Sequence, residues 1–305
     1  MLQIFLIILP LFLIIFLGGV LAYFRIADKY WESVLNKVAA NIGLPALVFS
    51  SILKINTAIS ENFLLILANS VFLILIFLSV FLFKKIFRLS SKFFRTIFIC
   101  MAFGNIGYLG IPVVEQILGR NFLGETSLVI AVYLFWIFTV GIVVLEYSAH
   151  KKVFFKDVLV NLLKNPLLLS VFFGLVVIFF EIKIPEVFIK TVDLLANSVT
   201  ATVLIVIGLF IINISKGTLK EWLKTIIFSL ITLFLLPLIF FGGLKFFDLE
   251  VDFFQTSIIE AAMPLAIAPL ALAEKYKLDK DFIARSIIFS TIFSIFSIPF
   301  WIYFI

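Results

Sequence analysis

The chain has one cysteine, Cys100, and one histidine, His150, in 305 residues. A lone cysteine excludes an intrachain disulfide, and inside a long apolar stretch Cys100 reads as a packing thiol. His150 lies between apolar runs, so no Ser/His dyad is available. No two aspartates sit at matching depth either, and an enzyme is not expected. Charged residues make up only 14% of the chain, against about 25% in soluble domains. The net charge is +6, but no compact basic run occurs, so nucleic acid is not an expected partner. A Gly-rich phosphate loop with Lys-Ser or Lys-Thr is also missing. The polar loops are too short for an ATP-binding module. Nothing calls for a cofactor or a metal.

What the chain has is apolar length. Hydrophobic residues are 64% of the total and the mean hydropathy is +1.26. This composition implies an all-α polytopic protein with the lipid bilayer as its solvent. A spanning helix needs about 20 mostly apolar residues. Ten such stretches are predicted: Leu2–Phe24, Trp31–Leu53, Phe63–Phe83, Phe93–Leu118, Gly124–Tyr147, Leu162–Glu181, Val187–Ile214, Trp222–Phe247, Phe253–Tyr276 and Phe282–Ile305. The first lacks a small-residue cleavage site and reads as a retained span.

Two of the ten carry helix-breaking residues at their centres. The fourth contains Phe103-Gly104-Asn105-Ile106-Gly107-Tyr108-Leu109-Gly110-Ile111-Pro112. The ninth contains Glu260-Ala261-Ala262-Met263-Pro264-Leu265-Ala266-Ile267-Ala268-Pro269. Gly costs a helix about 1 kcal/mol and Pro about 3. Broken backbone at membrane depth persists only where protein or a watery cavity satisfies it. Pro112 and Pro264 lie 152 positions apart in 305, and paired interrupted spans point to a secondary transporter with a midplane site.

The lysines and arginines set an orientation. Eighteen flank the odd-numbered loops and five the even-numbered ones, with Lys37 inside the second span. Cytoplasmic loops carry the excess, so both termini are expected outside a cytoplasmic (inner) membrane. Five spans per half then require the second half to enter from the opposite side. The predicted units are a first five-helix repeat (1–147), a short cytoplasmic linker (148–161) and a second repeat (162–305). Asn41 and Asn197, and likewise Lys37 and Asp193, are each 156 apart, in keeping with a duplication.

The breaks concentrate the candidate chemistry. Asn105 offers two donors and an acceptor, either to a solute or to freed backbone. Half-helix N-termini after Pro112 and Pro264 favour an anion such as a carboxylate, and neither broken stretch contains Lys or Arg. The candidate substrate-binding set is Asn105, Ile106, Gly107, Pro112, Pro264, Leu265, Ala266 and Tyr133. Tyr133, Trp136 and Thr139 share a face of the fifth span and serve either a pocket wall or packing. Glu260 and Glu115 are acids beside the breaks, candidates for proton coupling because an ionisable group at depth is a functional hypothesis by default. Lys37 and Asp193 are expected to form a supporting ion pair. The run Asn197 to Thr202 reads as close helix packing.

Asn41-Ile42-Gly43-Leu44-Pro45-Ala46-Leu47-Val48-Phe49, the stretch Asn105 to Pro112, and Ala261-Ala262-Met263-Pro264 through Ala273-Glu274-Lys275-Tyr276 together resemble the auxin efflux carrier family. That family includes plant auxin exporters and bacterial malate or malonate permeases. The resemblance implies ten helices in two inverted five-helix repeats with crossing broken helices four and nine, and a homodimer. It implies a scaffold of spans one, two, six and seven, and a transport domain of spans three to five and eight to ten moving as an elevator. It also implies that Asn105 contacts a substrate carboxylate at the crossover, with Pro112 and Pro264 as the crossover prolines. Glu260 stands where plant members resemble glutamine, which favours proton coupling. The expected activity is secondary active transport of a small organic anion. The alternatives are a sodium- or proton-coupled carrier of a bulkier sterol-like anion, a fold shared with bile acid symporters, and a non-transporting membrane sensor or binding subunit.

Overall fold

The structure, a computed structural model, describes residues 2–54, 62–150, 155–211 and 217–305. Among these residues all regular structure is helical, and the β contact is an isolated antiparallel bridge. In chain order the helices are α1 (Leu2–Tyr23), α2 (Lys29–Leu53), α3 (Phe63–Phe87), α4 (Ser91–Ala102), α5 (Ile106–Ile117) and α6 (Arg120–Ala149). The second part comprises α7 (Phe155–Leu163), α8 (Pro166–Phe179), α9 (Glu186–Ile211), α10 (Leu219–Phe246), α11 (Gln255–Ala261), α12 (Ala268–Leu272) and α13 (Lys280–Ile302). Seven of them, α1, α2, α3, α6, α9, α10 and α13, are long and apolar enough to cross a membrane. The protein is therefore a multi-pass, all-helical membrane protein.

The helix starts explain the loops. Asp28, Ser90, Asn165 and Asp279 each accept a backbone N–H of the helix that follows. Thr218 and Glu221 form a capping box on α10. These side chains occupy donors that a helix leaves unsatisfied, and all five starts lie in the Lys-rich loops. Proline acts differently. Three π turns, Ala39–Gly43, Ile106–Gly110 and Ile231–Leu235, are each followed two residues later by a proline: Pro45, Pro112 and Pro237. A proline has no N–H for the carbonyl four residues back. The wider π turn shifts the register just before it, so these helices continue where a strict α-helix would break.

Packing separates two groups. Helices α1, α2, α8 and α9 are joined through α9 and α2, and α3, α4, α6, α10, α11, α12 and α13 form the rest. The two meet where α6 packs on α2 and α8 and α13 on α1, with α5 between α1, α6 and α9. The α1–α9 contact is backbone on backbone: a Cβ on Gly208 would lie 2.8 Å from the Gly18 Cα and against the Ile15 carbonyl. Small residues are what allow such an approach.

Helix α6 continues to its end without a loop at 148, and α7 occupies most of the remainder of the predicted linker. Within the predicted sixth span, Leu162–Glu181, the 14-residue α8 forms and stops before Phe180. Residues 151–154 with Lys151 and Lys152, residues 212–214 of the seventh predicted span, and Lys216 lie outside the described residues. Cys100 is buried, as expected of a packing thiol.

Candidate functional site

Helix α4 stops at Ala102 and α11 at Ala261. Gly104 lowers helix propensity after the first. Pro264 ends the second and pushes Met263 away from helical backbone. Each interrupted stretch leaves polar backbone groups in an apolar interior, where an unpaired amide costs several kcal/mol. The two stretches satisfy one another. The Asn105 N–H donates to the Pro264 carbonyl at 2.6 Å and the Ala266 N–H to the Phe103 carbonyl at 3.0 Å. Gly104 and Leu265 are thereby paired as an antiparallel bridge. The Leu265 N–H donates to Ser290 Oγ on α13 at 3.1 Å.

From this bridge α5 sets off at Ile106. The Asn105 carbonyl accepts from Leu109 and Gly110 at 3.1 and 3.0 Å. The first N–H groups of α5 have no partner inside the helix. This corrects the expected position of one half-helix end. The first lies at Ile106, before Pro112, because the π turn absorbs that proline. The other, α12, starts at Ala268, four residues after Pro264 as expected, with Pro269 in its first turn.

A cavity of about 340 Å³ opens at these starts. Of the predicted set, Asn105, Ile106, Gly107 and Ala266 line it. Pro112 and Pro264 do not: Pro112 is buried inside α5, and Pro264 serves through its carbonyl. Leu265 and Tyr133 face the reverse side of the bridge. Sequence reasoning missed three polar members of the wall, Asn36, Tyr108 and Asn165. Tyr108 Oη donates to Asn36 Oδ1 at 2.5 Å, joining α5 to α2. Asn165 Oδ1 accepts from Leu167 and Leu168 at 3.0 and 3.1 Å. The Asn-Pro pair ahead of an apolar run is a helix-start signal that could have found Asn165. Few polar groups among many apolar ones is the usual make-up of a small-molecule site.

Behind the bridge, Tyr133 and Glu260 line a second, small cavity of about 20 Å³, enough for one water. Glu260 is 1% exposed. Neither of its oxygens, nor Tyr133 Oη, has a hydrogen-bond partner among the described residues. The Glu260 carboxyl lies directly against Gly110 of α5. Trp136 and Thr139 do not join Tyr133 on either cavity wall, and Thr139 Oγ1 donates to its own helix at Phe135 at 2.6 Å.

Glu115 sits away from the bridge, paired with Arg120 at 2.7 Å. The expected Lys37–Asp193 pair does not form. Asp193 instead accepts from Lys54 at 2.9 Å and Ser50 at 2.5 Å. Lys37 and Lys54 are 17 residues apart on α2, about 25 Å at 1.5 Å per residue, and Asp193 packs at the Lys54 end. Arg95, counted in sequence with the loop cations, is buried. It donates to the carbonyls of Tyr276 at 2.9 Å, Ser148 at 3.1 Å and Lys277 at 3.3 Å. Beside it Tyr276 Oη donates to Glu146 at 3.0 Å, and Lys275 pairs with the same carboxylate at 2.8 Å. The far ends of both broken segments are thus tied to α6. Among the described residues no cluster of His, Cys, Asp and Glu could hold a metal.

The chain was compared with known proteins. A family model described as membrane transport protein matches residues 3–302. The chain is 24% identical over 304 residues to an uncharacterized transporter of Methanocaldococcus jannaschii, covering 97% of this chain and 96% of that one. It is also 24% identical over 305 residues to an uncharacterized transporter of Methanothermobacter thermautotrophicus, covering 96% of each. A match across nearly the whole length, on a chain whose two broken segments meet beside a cavity, settles the assignment: this chain belongs to the membrane transport protein family, the family of the auxin efflux carriers that its sequence resembles.

Proposed function

We propose that the protein is a secondary active transporter of a small organic anion, a carboxylate such as malate, malonate or an auxin-like acid. The observation that carries this reading is the bridge between the broken segments, with the Asn105 amide and the α5 N-terminus on the wall of the adjoining cavity. A carboxylate there accepts from Asn105 Nδ2 and from the first N–H groups of α5, whose dipole favours negative charge. With no Lys or Arg on that wall, the affinity is modest and release is easy.

The chain is read as ten spans in two inverted five-helix repeats. The near-symmetric exchange of hydrogen bonds across Gly104 and Leu265 supports this. The packing of α1, α2, α8 and α9 as one group supports a scaffold, against which the rest moves as an elevator in a homodimer of the cytoplasmic membrane, both termini outside. Glu260 is the proton-coupling candidate. Glu115, already paired with Arg120, is the weaker one.

The test is counterflow in proteoliposomes with labelled malate, malonate, succinate and indole-3-acetate, with and without a pH gradient. Saturable exchange lost in Asn105→Ala is the expected result, with pH-dependence lost in Glu260→Gln. Exchange unchanged in Asn105→Ala rules out this site, and unchanged pH-dependence in Glu260→Gln rules out the coupling.

A further inference from the structure

A third cavity, of about 310 Å³, lies at the Lys-poor end of the molecule. It shares its helices with the cavity at the bridge. On α2 the bridge cavity takes Asn36, Ala40 and Leu44, and the other takes Leu47, Ser51 and Lys54. On α5 the first takes Ile106 and Gly107, the second Glu115 and Gln116. On α6 the first takes Ile130 and Leu134, the second Leu123. Ten residues of helix span about 15 Å. The two cavities are therefore successive chambers along one seam, and the α5 residues between their linings, Ile111 to Val114, are buried.

Their chemistry differs. The bridge chamber offers amides and helix N–H groups. The Lys-poor chamber is lined by two cations, Lys54 on α2 and Arg120 on α6. These are two of the five cations at that end of the chain. Each is paired, and neither pairing exhausts it. The bond to Glu115 runs from Arg120 Nε, which leaves the terminal nitrogens of a side chain 69% exposed. A guanidinium has five N–H donors, and its fork matches a carboxylate. Lys54 gives two of its three donors to Ser50 and Asp193. With Asp193 and Glu115 included the chamber is close to neutral, so it recognises an anion by directed donors and not by a net field.

We infer that this chamber is a second carboxylate station, through which the substrate passes at the Lys-poor side, with the Arg120 guanidinium as its principal contact. The inference rests on the transport reading above and adds a site to it. A station of this kind collects the anion from water at an exposed guanidinium, before or after the barrier at α5 changes sides.

The experiment uses a Cys100→Ala, Gln116→Cys protein in right-side-out vesicles. Gln116 is an exposed residue of the chamber wall, and removing Cys100 leaves a single thiol. Its modification by a membrane-impermeant thiol reagent is timed with and without malate, malonate, succinate or indole-3-acetate. Saturable protection that persists when Asn105→Ala is added, and disappears when Arg120→Gln is added, is the expected result. Absence of protection, its loss with Asn105→Ala, or its survival with Arg120→Gln each overturns the station. If Arg120→Gln fails to fold, Arg120→Lys serves the same comparison, since it keeps the charge for Glu115 and lacks the fork. Wild-type counterflow is measured in parallel. Absent counterflow with protection intact removes the transport reading and leaves the station, and the converse removes the station alone.

Discussion

Gly110 is the position where one methyl group reports on the site. Its backbone is ordinary right-handed helix, φ −60° and ψ −52°. By propensity alone, Gly110→Ala stabilises α5 by about 0.5–1 kcal/mol. The neighbour reverses that sign. An added Cβ lies 2.6 Å from Glu260 Oε1 and 2.7 Å from its Cδ, and overlaps Oε2 as well. Glu260 is buried, and the adjoining cavity is small, about 20 Å³. Overpacking of this kind costs about 1–3 kcal/mol. The expected net effect of Gly110→Ala is therefore a loss of up to about 2.5 kcal/mol after the propensity gain is subtracted. In a Glu260→Ala background the obstacle is gone, and the same substitution becomes stabilising by about 0.5–1 kcal/mol. The assay is thermal unfolding of the four purified proteins in one detergent, read as a double-mutant cycle. Residues in contact give interaction energies of about 0.5–3 kcal/mol. Additive effects, with Gly110→Ala destabilising equally in both backgrounds, refute the reasoning, because the penalty then does not come from the Glu260 carboxyl.

Two further outcomes can be checked the same way. Arg95→Gln strips the fork that gathers three carbonyls, and at about 1.5–3 kcal/mol per charged hydrogen bond it should destabilise by more than 3 kcal/mol. Arg95→Lys should restore little, because an ammonium does not reproduce the planar fork; full recovery of the melting temperature by Lys would contradict this. Gly208→Ala drives a methyl into the backbone of α1, where no flexible side chain can yield. It should destabilise by at least about 1–3 kcal/mol, whereas Gly242→Ala and Gly243→Ala, with nothing within 4 Å, should not.

The sequence carried the large features because hydrocarbon imposes them. Apolar runs of spanning length, and the two interruptions at Gly104 and Pro264, follow from what a membrane tolerates, and both were legible. The position of the first half-helix end was not. In the first broken span the second half was read as starting after Pro112, whereas the π turn at Ile106–Gly110 accommodates that proline and moves the start back to Ile106. Pairings between distant segments were illegible for a different reason. Lys54 and Asp193 are 139 positions apart, and equal offsets between the predicted repeats favoured Lys37, which lies about 25 Å away along α2. Asn36 and Tyr108 looked unremarkable in sequence because their meaning lies in meeting each other. Arg95 was taken for a loop charge because a cation near a span end usually is one. Its burial is set by three carbonyls from other segments.

The bridge also has a consequence for how the protein is made. Phe103 and Asn105 find their partners in Ala266 and Pro264, so the first interruption stays incomplete until the second has been synthesised. The separation from Gly104 to Leu265 is 161 residues. At about 5–20 residues per second, a ribosome needs roughly 8–30 s to supply the missing half. During that interval the amino-terminal portion carries exposed peptide groups at membrane depth, and something other than its own fold, whether insertion machinery or water, must accommodate them. Late translation is then the step at which the first interruption gains its partners. A chain arrested before residue 264 should be recognised by membrane quality control as unfinished, even with all its amino-terminal helices inserted.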